Sequence, residues 1–172
     1  MELLLAGCQV LIGVVFAVSA FTKLRSRTAL RSFASSLAML PARVRFPAAV
    51  SVAAAEAAVA VLVVIPQVGL PLGGVLLGVF SVVIAVSIRR GLRLTCRCFG
   101  FAASTLGPVH LARNSLLLAF AVFGWAAADI GPADPPSAAG MTLAVSAGLV
   151  GAIIMIAFDD IVSLFMEPSG GV

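Results

Sequence analysis

Five long apolar runs, separated by proline- and glycine-bearing breaks, make up most of this chain. Leu3–Thr22 is apolar apart from Gln9 and small hydroxyls, and Ala48–Ile65 is Ala/Val-rich and interrupted by Glu56 alone. Val68–Ile88 follows the short break Pro66-Gln67, Leu111–Ala128 carries Arg113 and Asn114 near its start, and Met141–Phe158 closes the set. Each run approaches or reaches the roughly 20 apolar residues that a helix needs to cross bilayer hydrocarbon. Pro41, Pro47, Pro66, Pro71 and the Gly131-Pro132…Pro135-Pro136 stretch supply turn chemistry between them. Segment Thr28–Leu40 is too short and too polar to span, which predicts an amphipathic helix lying at the interface. The pattern predicts an all-α integral membrane protein.

Composition sharpens this reading. Hydrophobic residues make up 62% of the 172 residues and charged residues 10%, with a mean hydropathy of +1.19. Soluble domains carry about 25% charged residues. The pI near 9.8 does not point to nucleic acid, because the basic residues flank apolar spans and the chain has one Trp and no Tyr for stacking. The lipid bilayer is the first partner implied, and nucleic acid is excluded. No internal repeat is evident, and no soluble domain is expected at either end.

The 11 basic residues are confined to three places. Lys23, Arg25, Arg27, Arg31, Arg43 and Arg45 lie between runs one and two. Arg89, Arg90, Arg93 and Arg97 lie between runs three and four, and Arg113 opens run four. The other two connections have none. Basic residues in short loops stay in the cytoplasm, so the expected topology puts the amino terminus outside. The carboxyl terminus, after Asp159-Asp160, is then inside, in a multi-pass protein of the plasma (inner) membrane. The box Leu5-Ala6-Gly7-Cys8 resembles a lipoprotein cleavage site. Only seven residues, none basic, precede Cys8, so it reads instead as a small buried residue of run one.

Candidate chemistry concentrates at Cys96-Arg97-Cys98-Phe99-Gly100. On the expected topology this segment is cytoplasmic, where a permanent disulfide does not persist. A disulfide between residues one apart strains the usual Cα separation of about 5.5–6 Å, and strained disulfides are labile. Arg97 between the thiols, with Arg93 nearby, favours the reactive thiolate. Redox cycling is therefore preferred over two reduced cysteines packing beside Phe99. A metal site ranks last, because structural zinc takes four ligands and two thiols and His110 are all that lie nearby. His110 is a candidate thiol base, with a solvated helix end as the alternative.

A second constellation is the set of ionisable residues inside apolar runs. Glu56 sits about eight residues into run two, roughly 12 Å along a helix. A charge there is costly and marks a functional site by default. Lys23 ends run one, and Arg113 with Asn114 opens run four from the same face. Either basic residue could neutralise Glu56, and Arg113 could do so in a bidentate fork. A helix-orienting ion pair and a catalytic or quinone-facing role both remain open, and no cofactor is identified.

The order Phe16-x2-Ser19-x3-Lys23-Leu24, then Glu56, Arg90-Gly91, Cys96-x-Cys98-Phe99-Gly100 and Arg113-Asn114, resembles the MauE family. Those membrane proteins of methylamine utilisation belong with the wider DoxX/DoxD-like group. The resemblance runs from about residue 3 to 128. It implies a four-helix transmembrane bundle of DoxX-like type over 1–128, followed here by a loop at 129–140 and a fifth helix with a short tail at 141–172. It also implies thiol–disulfide exchange in maturing the disulfide-rich small subunit of methylamine dehydrogenase, with a thioredoxin-like partner. The chain itself has no C-x-x-C and lacks the four-cysteine set of vitamin K epoxide reductases, so that partner is a separate protein. On this reading Cys96 and Cys98 form the redox couple, Arg97 and His110 assist them, and Lys23, Glu56, Arg113 and Asn114 build a polar site below. The alternatives are a non-catalytic scaffold for a redox partner and a small-molecule carrier using Glu56 and Arg113.

Overall fold

A computed structural model describes residues 1–37, 39–90, 95–96, 104–105, 108–129 and 137–166. At positions 95, 96, 104, 105, 129 and 163–166 the description is of the backbone. Six helices are present among them: α1 (Glu2–Leu24), α2 (Arg27–Ser36), α3 (Ala42–Leu62), α4 (Pro66–Arg89), α5 (Pro108–Asp129) and α6 (Ala138–Met166). Five of these, all but α2, are long and apolar enough to cross a bilayer. Between α4 and α5, strands β1 (Thr95–Cys96) and β2 (Ser104–Thr105) pair antiparallel, with Cys96 opposite Ser104.

Helices α1, α3, α4 and α5 form a closed ring in which each packs on the next, and α6 lies outside it, chiefly against α1. The core holds Ile12, Val15, Phe16, Val59, Leu70, Leu77 and Leu117, joined by Ala152 and Met155 from α6. Valines such as Val61, Val64, Val75 and Val82 point outward, as expected where lipid replaces water as the solvent. Because lipid is as apolar as these side chains, close helix packing rather than hydrophobic burial holds such helices together. The α1–α6 seam shows this: a Cβ placed on Gly148 would lie 2.6 Å from the carbonyl oxygen of Gly7.

Helix α3 begins at Ala42 and includes Pro47, and α4 includes Pro71, so two prolines expected to break the chain lie inside helices. Each is the sixth residue of its helix, past the first turn, so it removes one i→i−4 hydrogen bond and its ring crowds the carbonyl four residues back, a cost that membrane helices tolerate. The α3–α4 turn is tight. A Cβ on Gly69 would come within 2.4 Å of the Leu62 carbonyl and the Val63 backbone. Gln9 of α1 donates to the Val63 carbonyl at 2.7 Å, satisfying a helix-end acceptor for which the membrane offers no water.

The short polar helix forms as expected. Ser26 caps α2 by accepting from the Ala29 amide at 3.0 Å. Its apolar face, Phe33 and Ala34, packs on Ala49 of α3, and Arg27 and Arg31 are exposed. Cys8 is buried with a free thiol, next to Gly124 of α5, as read from the sequence.

Candidate functional site

Antiparallel threading brings one end of the bundle together: the carboxyl ends of α1 and α4, the whole of α2, the β1–β2 ribbon, the start of α5 and the last turns of α6. Buried ionisable side chains collect just inside that end. Lys23 and Glu56 are 2% and 0% exposed. Lys23 Nζ donates to Glu56 Oε1 at 2.9 Å, to Glu56 Oε2 at 2.8 Å and to Ser19 Oγ at 2.6 Å. An ammonium has three protons, so three near acceptors match its full donor set. Ser19 and Lys23 are four residues apart and share a helix face, and the Ser19 hydroxyl also hydrogen-bonds Glu56. Three side chains from two helices thus close a ring of hydrogen bonds in the bundle interior.

The amphipathic helix covers this ring. The Phe33 ring of α2 lies with its centroid 5.0 Å from Lys23 Nζ, within cation–π range. Strand β1 in turn lies alongside α2. The strand that includes Cys96 therefore touches the helix that covers the Lys23–Glu56 pair.

Arg113 does not form the fork with Glu56 that the sequence left open. Its Nη1 is paired with Asp159 Oδ2 on α6, and His110 Nδ1 reaches the same oxygen at 3.0 Å. Arg113 is 2% exposed and Asp159 16%. His110 is buried, so it is not the solvated helix end weighed as its alternative. Asn114, 1% exposed, stands beside Arg113 in sequence, and its Oδ1 has no hydrogen-bond partner among the described residues. The two pairs form one charge-balanced layer, with Lys23 and Arg113 near enough to repel one another.

Of the residues singled out from sequence, Lys23, Glu56, Arg113, Asn114 and His110 are thus all at one end and all buried. For Cys96 the structure describes the backbone in β1. Arg97 and Cys98 lie outside the described residues. The sequence reading gave no site role to Ser19, which it quoted only as part of a motif, to Phe33 or, above all, to Asp159. It took Asp159 as the first residue after the fifth span, whereas α6 runs on to Met166. From Ala138 to Asp159 is 21 residues, or about 32 Å of helix, which returns Asp159 to the level of the polar layer. A buried arginine that needs a counter-ion, once Glu56 is taken by Lys23, was the available signal.

No group of three or more metal-binding side chains occurs among the described residues. The model of the family described as methylamine utilisation protein MauE matches residues 1–127, well over half of the chain. No curated protein and no solved structure matches. The matched segment takes in the four-helix ring, α2 and the ribbon, and α6 lies beyond it.

Proposed function

The chain belongs to the MauE family of methylamine utilisation membrane proteins, and on that footing we propose that it is a membrane thiol–disulfide exchange protein. Cys96 and Cys98 are its redox couple and a separate thioredoxin-like protein is its partner. One thiolate attacks a partner disulfide, forming a mixed disulfide and expelling a partner thiolate. The second thiolate then attacks the mixed disulfide, leaving a Cys96–Cys98 disulfide and a reduced partner. Two electrons pass from the dithiol to the partner, and the same steps run backwards reduce the pair. The ultimate client is an exported protein whose disulfides are corrected when the partner is reduced, or formed when the steps run backwards and oxidise the partner; the small subunit of methylamine dehydrogenase is the candidate that the family suggests.

The observation that carries this reading is the position of the β1–β2 ribbon. It holds the Cys96 backbone opposite Ser104, six residues before His110, in a strand that touches α2. That position supports an exchange loop mounted on a rigid base, with His110 as the thiol base. The Lys23–Glu56–Ser19 ring and the Arg113 pair supply the base, because buried charges with matched partners tolerate little displacement of the helices that carry them. The arginines that surround this end support a cytoplasmic location for it.

Complementation of a strain deleted for the gene tests the reading. Cys96→Ser and Cys98→Ser should each abolish function at normal membrane abundance, and Cys8→Ser should not. Full function in the Cys96→Ser/Cys98→Ser double variant would replace the exchange reading with that of a non-catalytic scaffold.

A further inference from the structure

We propose that Asp159 is a positioning residue of this site and that α6, outside the segment matching the family, is a working part of the site rather than an appended anchor. The inference rests on the thiol-exchange reading, in which His110 takes the proton of the attacking thiol. Asp159 Oδ2 meets the His110 ring at Nδ1, 3.0 Å away. A carboxylate accepts hydrogen bonds and cannot donate them, so Nδ1 carries a proton and the basic nitrogen of the neutral ring is Nε2. One contact thus selects the tautomer and fixes the plane of the ring.

The carboxylate holds that pose because it is itself held. Arg113 Nη1 binds the same Oδ2 and is 2% exposed, so α5 supplies both groups that Asp159 orients. Helix α6 is placed by the close α1 seam at Gly7 and Gly148, and α1 also carries Lys23. The charged groups at this end of the elements packed around His110 are Asp159 and Asp160 on α6, Arg113 on α5, Lys23 on α1, and Arg89 and Arg90 at the end of α4. Of these, Asp159 is the one the structure places on the Nδ1 of His110. Upstream on the chain, His110 follows Ser104, the residue paired with Cys96, by six positions. The aligned base therefore opens the helix that leads directly out of the thiol ribbon.

The test uses full-length protein in detergent, on a Cys8→Ser background, reacting with a neutral aromatic disulfide probe across a pH series. The first protein thiol to react forms a mixed disulfide and releases one equivalent of coloured thione; attack by the second closes the Cys96–Cys98 disulfide and releases another. Loss of the base itself in His110→Gln should slow the reaction about a hundredfold, the low end for general bases. Asp159→Asn should slow it by roughly tenfold, an intermediate loss expected of a group acting through that base, and should displace the pH profile. Asp159→Glu should recover part of the rate. The double variant His110→Gln/Asp159→Asn should be no slower than His110→Gln alone.

Because Asp159→Asn strands a buried arginine, Arg113→Gln/Asp159→Asn is measured as well. It should fold normally and remain slow. Wild-type rates and pH profile in Asp159→Asn, or in the Arg113→Gln/Asp159→Asn protein, would overturn the proposal and leave Asp159 as a structural counter-ion. Multiplicative losses in the His110/Asp159 cycle would overturn it too. Thiol reactivity is read on the purified protein and exchange function in cells, so a failure here and a failure of the exchange reading are separate results.

Discussion

Replacing Glu56 with Leu leaves Lys23 with two of its three close acceptors gone, at a site where it is 2% exposed. Burial keeps bulk solvent from the ammonium. Ser19 Oγ, the Ser19 carbonyl at 3.4 Å and the face of Phe33 are among the contacts left to the ammonium. Stranding one member of a buried pair costs about 3–5 kcal/mol, and leucine returns little against it, because moving its side chain out of lipid or detergent gains no hydrophobic energy. At about 1.4 kcal/mol per decade, the gross cost is a hundredfold to a few thousandfold in the folded ratio. Lys23→Met strands Glu56 in the same way and should cost a similar amount. The double variant Lys23→Met/Glu56→Leu removes both charges at nearly unchanged volume and should recover most of the loss, since buried pairs replaced by apolar residues are often neutral. Glu56→Gln, which keeps two polar atoms near Lys23, should fall between wild type and Glu56→Leu. The assay is reversible unfolding in mixed micelles, followed by helix content, for the four corners of the cycle. A coupling energy within about 0.5 kcal/mol of zero, the range found for independent sites, would refute the argument that these two residues hold α1 to α3.

Two further outcomes follow from packing and charge. Gly69→Ala should lower folded yield, because its Cβ would collide with the Leu62 and Val63 backbone at 2.3–2.4 Å; overpacking of this kind costs typically 1–3 kcal/mol or more. Gly78→Ala, whose Cβ meets nothing within 4 Å, is the matched control, and equal yields for the two would contradict the α3–α4 turn described. Accessibility labelling of single cysteines in intact cells should mark the 131–136 segment from outside and spare the Arg25–Arg45 segment. The reverse pattern would put the Cys96 ribbon on the oxidising side.

The five spans were legible because lipid leaves a simple signature: length and hydropathy decide a span with little help from tertiary context; the short helix α2 was legible as a run too short and polar to be one. The Lys23–Glu56 pair was half legible. A lone carboxylate in an apolar run must find a cation, but sequence offered both Lys23 and Arg113 at the right depth. Ser19, on the face of Lys23, carries the further hydrogen bonds that accompany the choice of Lys23. Asp159 was not legible as a site residue, because hydropathy marks where apolar residues stop and α6 continues past that point to Met166. The start of α3 was misplaced for a related reason. Pro47 is a break signal in general, but α3 runs through it, since proline is tolerated inside membrane helices where the freed backbone groups are satisfied locally.

The central claim is that Cys96 and Cys98 act as a pair, one attacking and one resolving. The most direct measurement is trapping of the mixed disulfide: cells expressing each single variant are quenched in acid, alkylated and resolved without reductant. One of Cys96→Ser and Cys98→Ser should yield a reductant-sensitive adduct with a thioredoxin-like protein, identified by mass spectrometry through the remaining cysteine, and wild type should show little because the second thiol releases it. The absence of such an adduct from both variants, with each supporting normal function, would contradict the account.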